Sequence, residues 1–237
     1  LVLGDDDPPA TVLRHAYAIG ASAIRAGCDF FFRAEPDGRG WTWREIGVEL
    51  ALPMPALTAP VQLRNAAVAI AALRALPLGE DEAAIDEAAI VAGVRSAHAG
   101  ARLQAFERDG VTVWVDVGHN PQAARALAEA LAASPAAGAT HAVFAALGDK
   151  DLAGVVGAVA PRVDHWWLAG LAGDTPRGLA VDAFAARLAG TPAADGARAA
   201  TVPEALDAAL AAARPGDRVL VFGSFFTAAA ALAHLRG

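Results

Sequence analysis

The sequence predicts an α/β protein: a mostly parallel, Rossmann-like sheet with helices on both faces, preceded by a shorter mixed segment. Three observations carry this. From Ala101 onward, continuous apolar runs alternate with helical runs of about ten residues, the pattern of strands buried on both faces. Of 237 residues, 55% are hydrophobic and 19% charged, which excludes a disordered tail. The pattern breaks between Ser96 and Ala101, where Gly93, Gly100 and small residues intervene, so the chain divides into 1–97 and 98–237. A chain of this length hides roughly 70% of its unfolded surface, enough for a core without covalent staples.

Leu1 to Leu3 reads as a short strand. Asp5-Asp6-Asp7 before Pro8-Pro9 suits an acidic cap with proline in the first turn, opening a helix through Val12, Leu13, His15, Ala16 and Ile19 that stops at Gly20. Phe30 to Ala34 and Trp41 to Trp43 flank Asp37-Gly38, a hairpin signature. Pro53, Pro55 and Pro60 mark a loop, and helical spacing follows over Val61 to Leu76 and Glu80 to Val94. In the second segment, strands are expected at Val111–Asp116, His141–Leu147, Asp164–Ala169, Ala197–Val202 and Arg218–Phe222. Helices are expected at Pro121–Ala133, Leu152–Ala160, Val181–Leu188, Pro203–Ala213 and Phe225–Leu235. Ligands of such sheets gather at the carboxyl ends of the strands.

Composition excludes several functions. Lys plus Arg is 19 and Asp plus Glu is 26, a net charge of −7 with no basic run, so nucleic acid is a poor partner. A single cysteine, Cys28, excludes a disulfide framework and a cysteine-based zinc site within one chain, and suits a reducing cytoplasm. Apolar runs are broken by Arg74, by Arg162 and Asp164, or by His234 before reaching the ~18 to 20 residues of a membrane helix. The opening Leu1-Val2-Leu3-Gly4 has no basic region, so no secretory signal is expected. With Met54 as its only methionine, the chain reads as a piece of something longer. Lys150, the only lysine, is followed by Asp151, so no Gly-Lys-Ser/Thr phosphate loop is present, and no G-x-G-x-x-G fingerprint stands in for it.

Chemistry concentrates at three strand ends. In Trp114-Val115-Asp116-Val117-Gly118-His119-Asn120-Pro121 an apolar strand runs into Asp, Gly, His and Asn before a proline opens a helix. Free N–H groups and the helix dipole favour an anion there. A carboxylate can accept ribose hydroxyls, and an imidazole can contact phosphate or relay a proton. The plain alternative is helix capping. Gly148-Asp149-Lys150-Asp151 follows the next strand; its plain alternative is a capped helix with a surface ion pair. Gly223-Ser224-Phe225 ends the last strand, where Ser224 could hold a carboxylate or simply cap. A hydrolase using Ser224, His119 and Asp116 is disfavoured because no glycine-framed nucleophile elbow exists. Arg102 could fork onto phosphate, and Gln62 and Asn65 could pair with an adenine edge.

Taken in order, Gln62-Leu-Arg-Asn65-Ala-Ala, Gly100-Ala-Arg102-Leu-Gln104, Asp116-Val-Gly-His119-Asn120-Pro121, Gly148-Asp149-Lys150-Asp151, Pro176-Arg177-Gly178 and Gly223-Ser224-Phe225 resemble the carboxyl-terminal part of the folylpolyglutamate synthase and bifunctional dihydrofolate synthase family, relatives of the Mur ligases. The resemblance covers nearly the whole chain. Asp-x-x-His-Asn-Pro is its most specific element, and Pro8-Pro9-Ala10 resembles the segment ending the family's large ATPase domain. It implies that 1–97 is the end of that α/β ATPase domain and 98–237 the Rossmann-like carboxyl-terminal domain. It implies ATP-dependent ligation of L-glutamate to a pteroate or folate carboxylate through an acyl phosphate, with Mg2+ offsetting charge. It places Asn65 at adenine, Arg102 at the phosphates, Asp116 at the ribose, His119 near phosphate or incoming glutamate, and Ser224 at the amino-acid pocket. The phosphate loop, magnesium ligands and modified lysine of the family would lie upstream of residue 1, so these 237 residues are not expected to ligate alone. The family's Pro-Gly-Arg stands here as Gly100-Ala101-Arg102. A cytoplasmic monomer is expected. The alternatives are a cell-wall Mur ligase fragment and a non-catalytic nucleotide-binding module.

Overall fold

The structure is a computed structural model describing residues 1–5, 7–57, 59–76 and 86–237. It divides into two units, Leu1–His98 and Ala99–Gly237.

In the first unit, β1 (Val2–Leu3) pairs in parallel with β2 (Ile24–Arg25), with α1 (Ala10–Ala18) between them in sequence. Among the described residues the expected acidic cap on α1 is not found. Pro9 occupies the cap position with no side-chain hydrogen bond, and Asp5 instead pairs with Arg64 at 3.2 Å. Asp6 lies outside the described residues. Strands β3 (Phe30–Ala34) and β4 (Gly40–Glu45) form the expected hairpin. The expected loop at Pro53 is instead β5 (Val48–Pro53), antiparallel to β4. The reason is period two: Leu50 and Leu52 point into the core, and Pro53 ends an edge strand where its missing N–H costs nothing.

Two helices cover this small sheet, α2 (Val61–Arg74) and α3 (Glu87–Ser96). Asp86 caps α3, accepting the Ala89 N–H at 2.6 Å; the part of the expected Glu80–Val94 helix before Asp86 falls on residues that are not described. Phe30, Trp41, Trp43, Leu50 and Leu52 pack against Ala67, Ile70 and Ala71 of α2 and Ile90 and Val94 of α3. The buried Trp43 indole donates to the Ala67 carbonyl at 3.1 Å, so the largest ring of this core leaves no polar atom orphaned.

The second unit holds a six-stranded sheet in the order β10-β9-β8-β11-β7-β6. Its elements are β6 (Gln104–Arg108), β7 (Val111–Val115), α4 (Pro121–Ala133), β8 (Thr140–Phe144), α5 (Leu152–Val159), β9 (His165–Ala169), α6 (Val181–Ala186), β10 (Ala197–Ala199), α7 (Val202–Ala212), β11 (Arg218–Phe222) and α8 (Phe225–Arg236). All pairs are parallel except β6 with β7. The sequence reading missed β6, whose signal was Asp109-Gly110: both adopt positive φ, +50° and +80°, as a two-residue hairpin turn demands.

Alternation along the buried strands gives two faces. Val113, Val115, Val143, Val219 and Val221 pack under α7 and α8. On the other face the Phe144 ring lies 4.8 Å from Phe222 and 5.3 Å from Phe184 of α6. Each such side chain contributes about 1.5–3 kcal/mol on burial. The last strand, β11, inserts between β7 and β8, so that Val221 lies opposite both Val115 and Val143. That insertion makes the carboxyl ends of the first and last parallel strands neighbours. Among the described residues no helix is long and apolar enough to cross a membrane.

Candidate functional site at the carboxyl ends of β7 and β11

Asp116 follows β7 directly, and its backbone N–H donates to the Val221 carbonyl of β11 at 2.9 Å. Its side chain is buried. Oδ2 accepts the Leu103 N–H at 2.9 Å and Oδ1 the Gly118 N–H at 2.8 Å. Burial raises its carboxyl above the ordinary carboxylate value; the two N–H donors and the positive charge of Arg102 oppose that rise without cancelling it. The carboxylate thus ties together the loop carrying Arg102 and the turn carrying His119.

The Arg102 loop is shaped by its backbone. Ala101 and Leu103, on either side, both hold positive φ, +54° and +48°. Ala101 donates its N–H to Gln104 Oε1 at 3.2 Å and accepts the Val117 N–H at 3.2 Å. Non-glycine residues in this region are strained and persist where surrounding bonds enforce them. Arg102 is half-buried. Its guanidinium makes one long bond, 3.4 Å to the Ala101 carbonyl, and lies 5.8 Å from the centroid of the Phe225 ring.

His119 sits one residue before Asn120, which caps α4 by accepting the Ala123 N–H at 2.8 Å. Its ring lies 6.0 Å from that of Phe225, tilted by 43°. Arg102 and His119 therefore meet at Phe225, the first residue of α8, and Asp116 ties their two loops together. Sequence reasoning did not single out Phe225, and its 60% exposure is the signal that marks it.

Ser224 is 3% exposed and caps α8, its Oγ accepting the Thr227 N–H at 3.0 Å. Thr227 Oγ1 donates to the Ala145 carbonyl beyond β8 at 2.6 Å, so its single hydroxyl proton is used there. The 2.7 Å contact between the two hydroxyls is consequently donated by Ser224. Gly223, at φ +121°, lets this turn press on β8: a Cβ there would collide with the Ala145 carbonyl.

At the Gly148-Asp149-Lys150-Asp151 motif the plainer alternative holds. Asp151 caps α5 through the Gly154 N–H at 2.9 Å. Asp149 pairs with Lys150 at 3.5 Å and with Arg177 at 3.6 Å on the surface. Asn65 belongs to the first unit. It is exposed on α2 and donates to Gln62 Oε1 at 3.0 Å.

Chemically, the cluster in the second unit carries groups that an anion with hydroxyls would need. It offers a guanidinium without a carboxylate partner among the described residues, an imidazole, and the capped amino ends of α4 and α8. No group of three or more His, Cys, Asp or Glu that could hold a metal ion occurs among the described residues.

Comparison with known proteins adds to this geometry. The Mur ligase, glutamate ligase domain family matches residues 101–225. A dihydrofolate synthase/folylpolyglutamate synthase of Escherichia coli is 34% identical over 229 residues, covering 96% of this chain and 50% of the relative. One of Haemophilus influenzae is 32% identical, covering 97% and 54%. The structure of E. coli FolC in complex with DHPP and ADP superposes with a TM-score of 0.84 at 33% identity, over 99% of this chain and 52% of that one. A bifunctional folylpolyglutamate synthase/dihydrofolate synthase with Mn, AMPPNP and L-glutamate bound gives 0.81 at 33% identity, over 100% and 53%. The chain spans about half the length of the curated relatives it matches.

Proposed function

The chain belongs to the Mur ligase family, carrying its glutamate ligase domain, and from that premise we propose that it forms the carboxyl-terminal part of an ATP-dependent ligase adding L-glutamate to dihydropteroate, to a folate, or to both. The observation that carries the reading is the meeting of Arg102, Asp116 and His119 at the carboxyl end of β7, inside the segment that matches the glutamate ligase family. The names of the relatives favour the folate branch over cell-wall ligation, and their bound ADP, AMPPNP, DHPP and glutamate are the ligand classes the reading requires.

In this reading a substrate carboxylate oxygen attacks the γ-phosphorus of ATP and ADP leaves. The glutamate amine then attacks the acyl carbon and inorganic phosphate leaves. Activation is needed because a free carboxylate is a poor electrophile. Arg102 offsets phosphate charge, where a charge-assisted fork is stronger than a neutral hydrogen bond. Asp116 turns its remaining lone pairs to the ribose hydroxyls. His119 meets phosphate or glutamate, Asn65 meets adenine, and Ser224 shapes the amino-acid pocket by fixing the start of α8. Mg2+, when bound, would offset the negative charge of the phosphates. We assign its ligands, the phosphate loop and the modified lysine to the part of the relatives that this chain does not span, with 1–97 closing the ATPase domain. The enzyme is taken to work as a cytoplasmic monomer.

The test is ADP release by the full-length protein, dependent on both glutamate and a dihydropteroate or tetrahydrofolate acceptor. Arg102→Ala should lower kcat/KM by about 10²–10³, Asn65→Ala should raise the KM for ATP, and the 237 residues alone should show no turnover. Ligation of a nucleotide-linked peptide in place of the folate acceptor would move the protein to the cell-wall branch. Failure of the second unit to contribute to nucleotide binding would overturn the site.

A further inference from the structure

Phe225 is a large apolar side chain, 60% exposed, at the first position of α8. A single exposed apolar side chain is ordinary in itself; this one is set apart by the polar groups beside it. Two of them share its ring: the Arg102 guanidinium at 5.8 Å and the His119 imidazole at 6.0 Å, tilted by 43°. They arrive from separate loops, before β6 and after β7. Beyond its long bond to Ala101, the Arg102 tip has no other hydrogen bond or ion pair among the described residues, and the His119 ring has none. The backbones of both loops are pinned by Asp116, but neither side-chain tip is.

We infer that Phe225 is the positioning residue of this site, its ring holding the Arg102 guanidinium and the His119 imidazole side by side so that their N–H groups meet one anionic ligand. The attraction is between the negative face of the ring and the guanidinium, with a tilted ring–ring contact for the imidazole. An aromatic ring suits the task because it orients a cation without consuming its hydrogen-bond donors. A carboxylate in its place would fix Arg102 equally well, but it would neutralise the charge the ligand needs. The inference deepens the reading above and relies on it for the identity of the anion only.

The test uses the whole 237-residue chain in three forms: unaltered, Phe225→Leu and Phe225→Tyr. NMR of the free protein follows the Arg102 Nε–H and His119 ring protons. In Phe225→Leu both sets should lose their ring-current displacement and average towards exposed values, with an unchanged melting midpoint. Tyr, its hydroxyl in solvent, should restore them. With pyrophosphate as probe, Phe225→Leu should bind about tenfold more weakly and Phe225→Tyr about as the unaltered chain, the size expected when a partly exposed cation–π attraction and a ring–ring contact are removed together. Unmoved Arg102 and His119 signals in Phe225→Leu overturn the inference, as does a fall in melting midpoint that Tyr fails to rescue, which would make Phe225 a packing residue. If the signals move as expected but the full-length enzyme ligates no glutamate, the functional reading falls and the positioning role stands.

Discussion

The carboxylate of Asp116 holds the backbone of Leu103, thirteen residues earlier in the chain, through a 2.9 Å bond to its N–H. Its other oxygen holds Gly118 at 2.8 Å. The bond to Leu103 matters because Leu103 and Ala101 are both in the left-handed region, a conformation that costs a residue with a side chain roughly 1–2 kcal/mol. The Asp116 bond is thus one of three that hold the loop bearing Arg102, beside those of Ala101 with Gln104 and with Val117. Asp116→Asn exchanges one acceptor oxygen for a donor and must break one of the two bonds. We expect a loss of about 1–3 kcal/mol in urea unfolding, the cost of leaving a buried donor unsatisfied. Amide exchange at Leu103 or Gly118 should accelerate while β11 stays protected. Unchanged exchange at both positions would show that the loop holds its shape without the carboxylate.

The turn after β11 makes a sharper prediction. Gly223 has φ +121°, and a Cβ there would strike the Ala145 carbonyl, which also receives the Thr227 hydroxyl. Gly223→Ala should cost at least about 2 kcal/mol, from backbone strain together with the forced shift of β8 against α8. Gly173→Ala, where φ is ordinary and no atom lies within 4 Å, is the control and should be near neutral. Equal melting temperatures for the two variants would show that the turn relaxes freely.

How much of this was legible beforehand differs by element. Strands β8 and β11 are buried along their whole length and β7 and β9 over most of it, as expected of a parallel sheet covered on both faces, and helices α4 and α8 begin at the positions their caps announce. Strand β6 was hidden because Gln104, Glu107 and Arg108 give it the composition of an exposed edge, and Pro53 disguised β5. At the site, Asp116 and His119 stood out because polar residues ended an apolar strand. That His119 and Arg102 meet at Phe225 is not local information, because it depends on the last strand inserting beside β7. The Gly223-Ser224-Phe225 motif marks a strand end, but nothing in it says which side chains of other loops the ring meets.

Arg218 supplies a stability prediction from the opposite end of β11. It is 5% exposed, its Nε has no hydrogen-bond partner in the described structure, and its guanidinium lies 3.8 Å from the centroid of the Trp114 ring. Burial lowers its pKa from the ordinary arginine value, the mark of a charge taken out of water without a carboxylate to answer it. The ring returns part of that cost, about 2 kcal/mol where the pair is desolvated. Apolar replacements of buried charges are commonly neutral or stabilising by about 1–4 kcal/mol. Arg218→Met should therefore leave stability unchanged or raise it by about 1 kcal/mol. A loss above about 2 kcal/mol in chemical denaturation would mean that Trp114 compensates the charge fully.

Acid sensitivity should come from His141. Its ring is buried, Nδ1 accepts the Trp167 indole N–H at 3.3 Å, and Nε2 faces Asp217 Oδ2 at 3.4 Å. Trp167 thereby fixes the neutral tautomer with its proton on Nε2. Burial lowers the His141 pKa below its ordinary 6.5, and the nearby His165 adds to this; the Asp217 bond and the charges of Asp217 and Asp164 oppose it. A depressed folded-state pKa means that the unfolded chain binds the proton first. The contribution is full above 6.5 and is lost as pH falls through the lowered folded value. The urea midpoint should fall between about pH 7 and about pH 5, and Trp167 fluorescence should report the change. His141→Gln should flatten that slope. An equally steep slope in the variant would assign the sensitivity elsewhere.

Ser224 poses the question of whether a hydroxyl at a site touches the ligand or builds the wall. Its Oγ accepts from the Thr227 N–H and donates to Thr227 Oγ1, which donates onward to Ala145. No proton remains for a ligand. Ser224→Ala removes an N-cap and should cost about 1 kcal/mol. Thr227→Val removes the acceptor of the Ser224 hydroxyl and the bond to Ala145, while the Thr227 N–H that Ser224 caps remains. If Ser224 works through the start of α8, both variants should raise the KM for glutamate in the full-length enzyme by similar factors, and the double variant should add little, as coupled neighbours do. If the hydroxyl binds glutamate directly, Ser224→Ala alone should raise it. The geometry of the three bonds predicts the first outcome, and a glutamate KM that rises in Ser224→Ala while Thr227→Val stays normal would refute it.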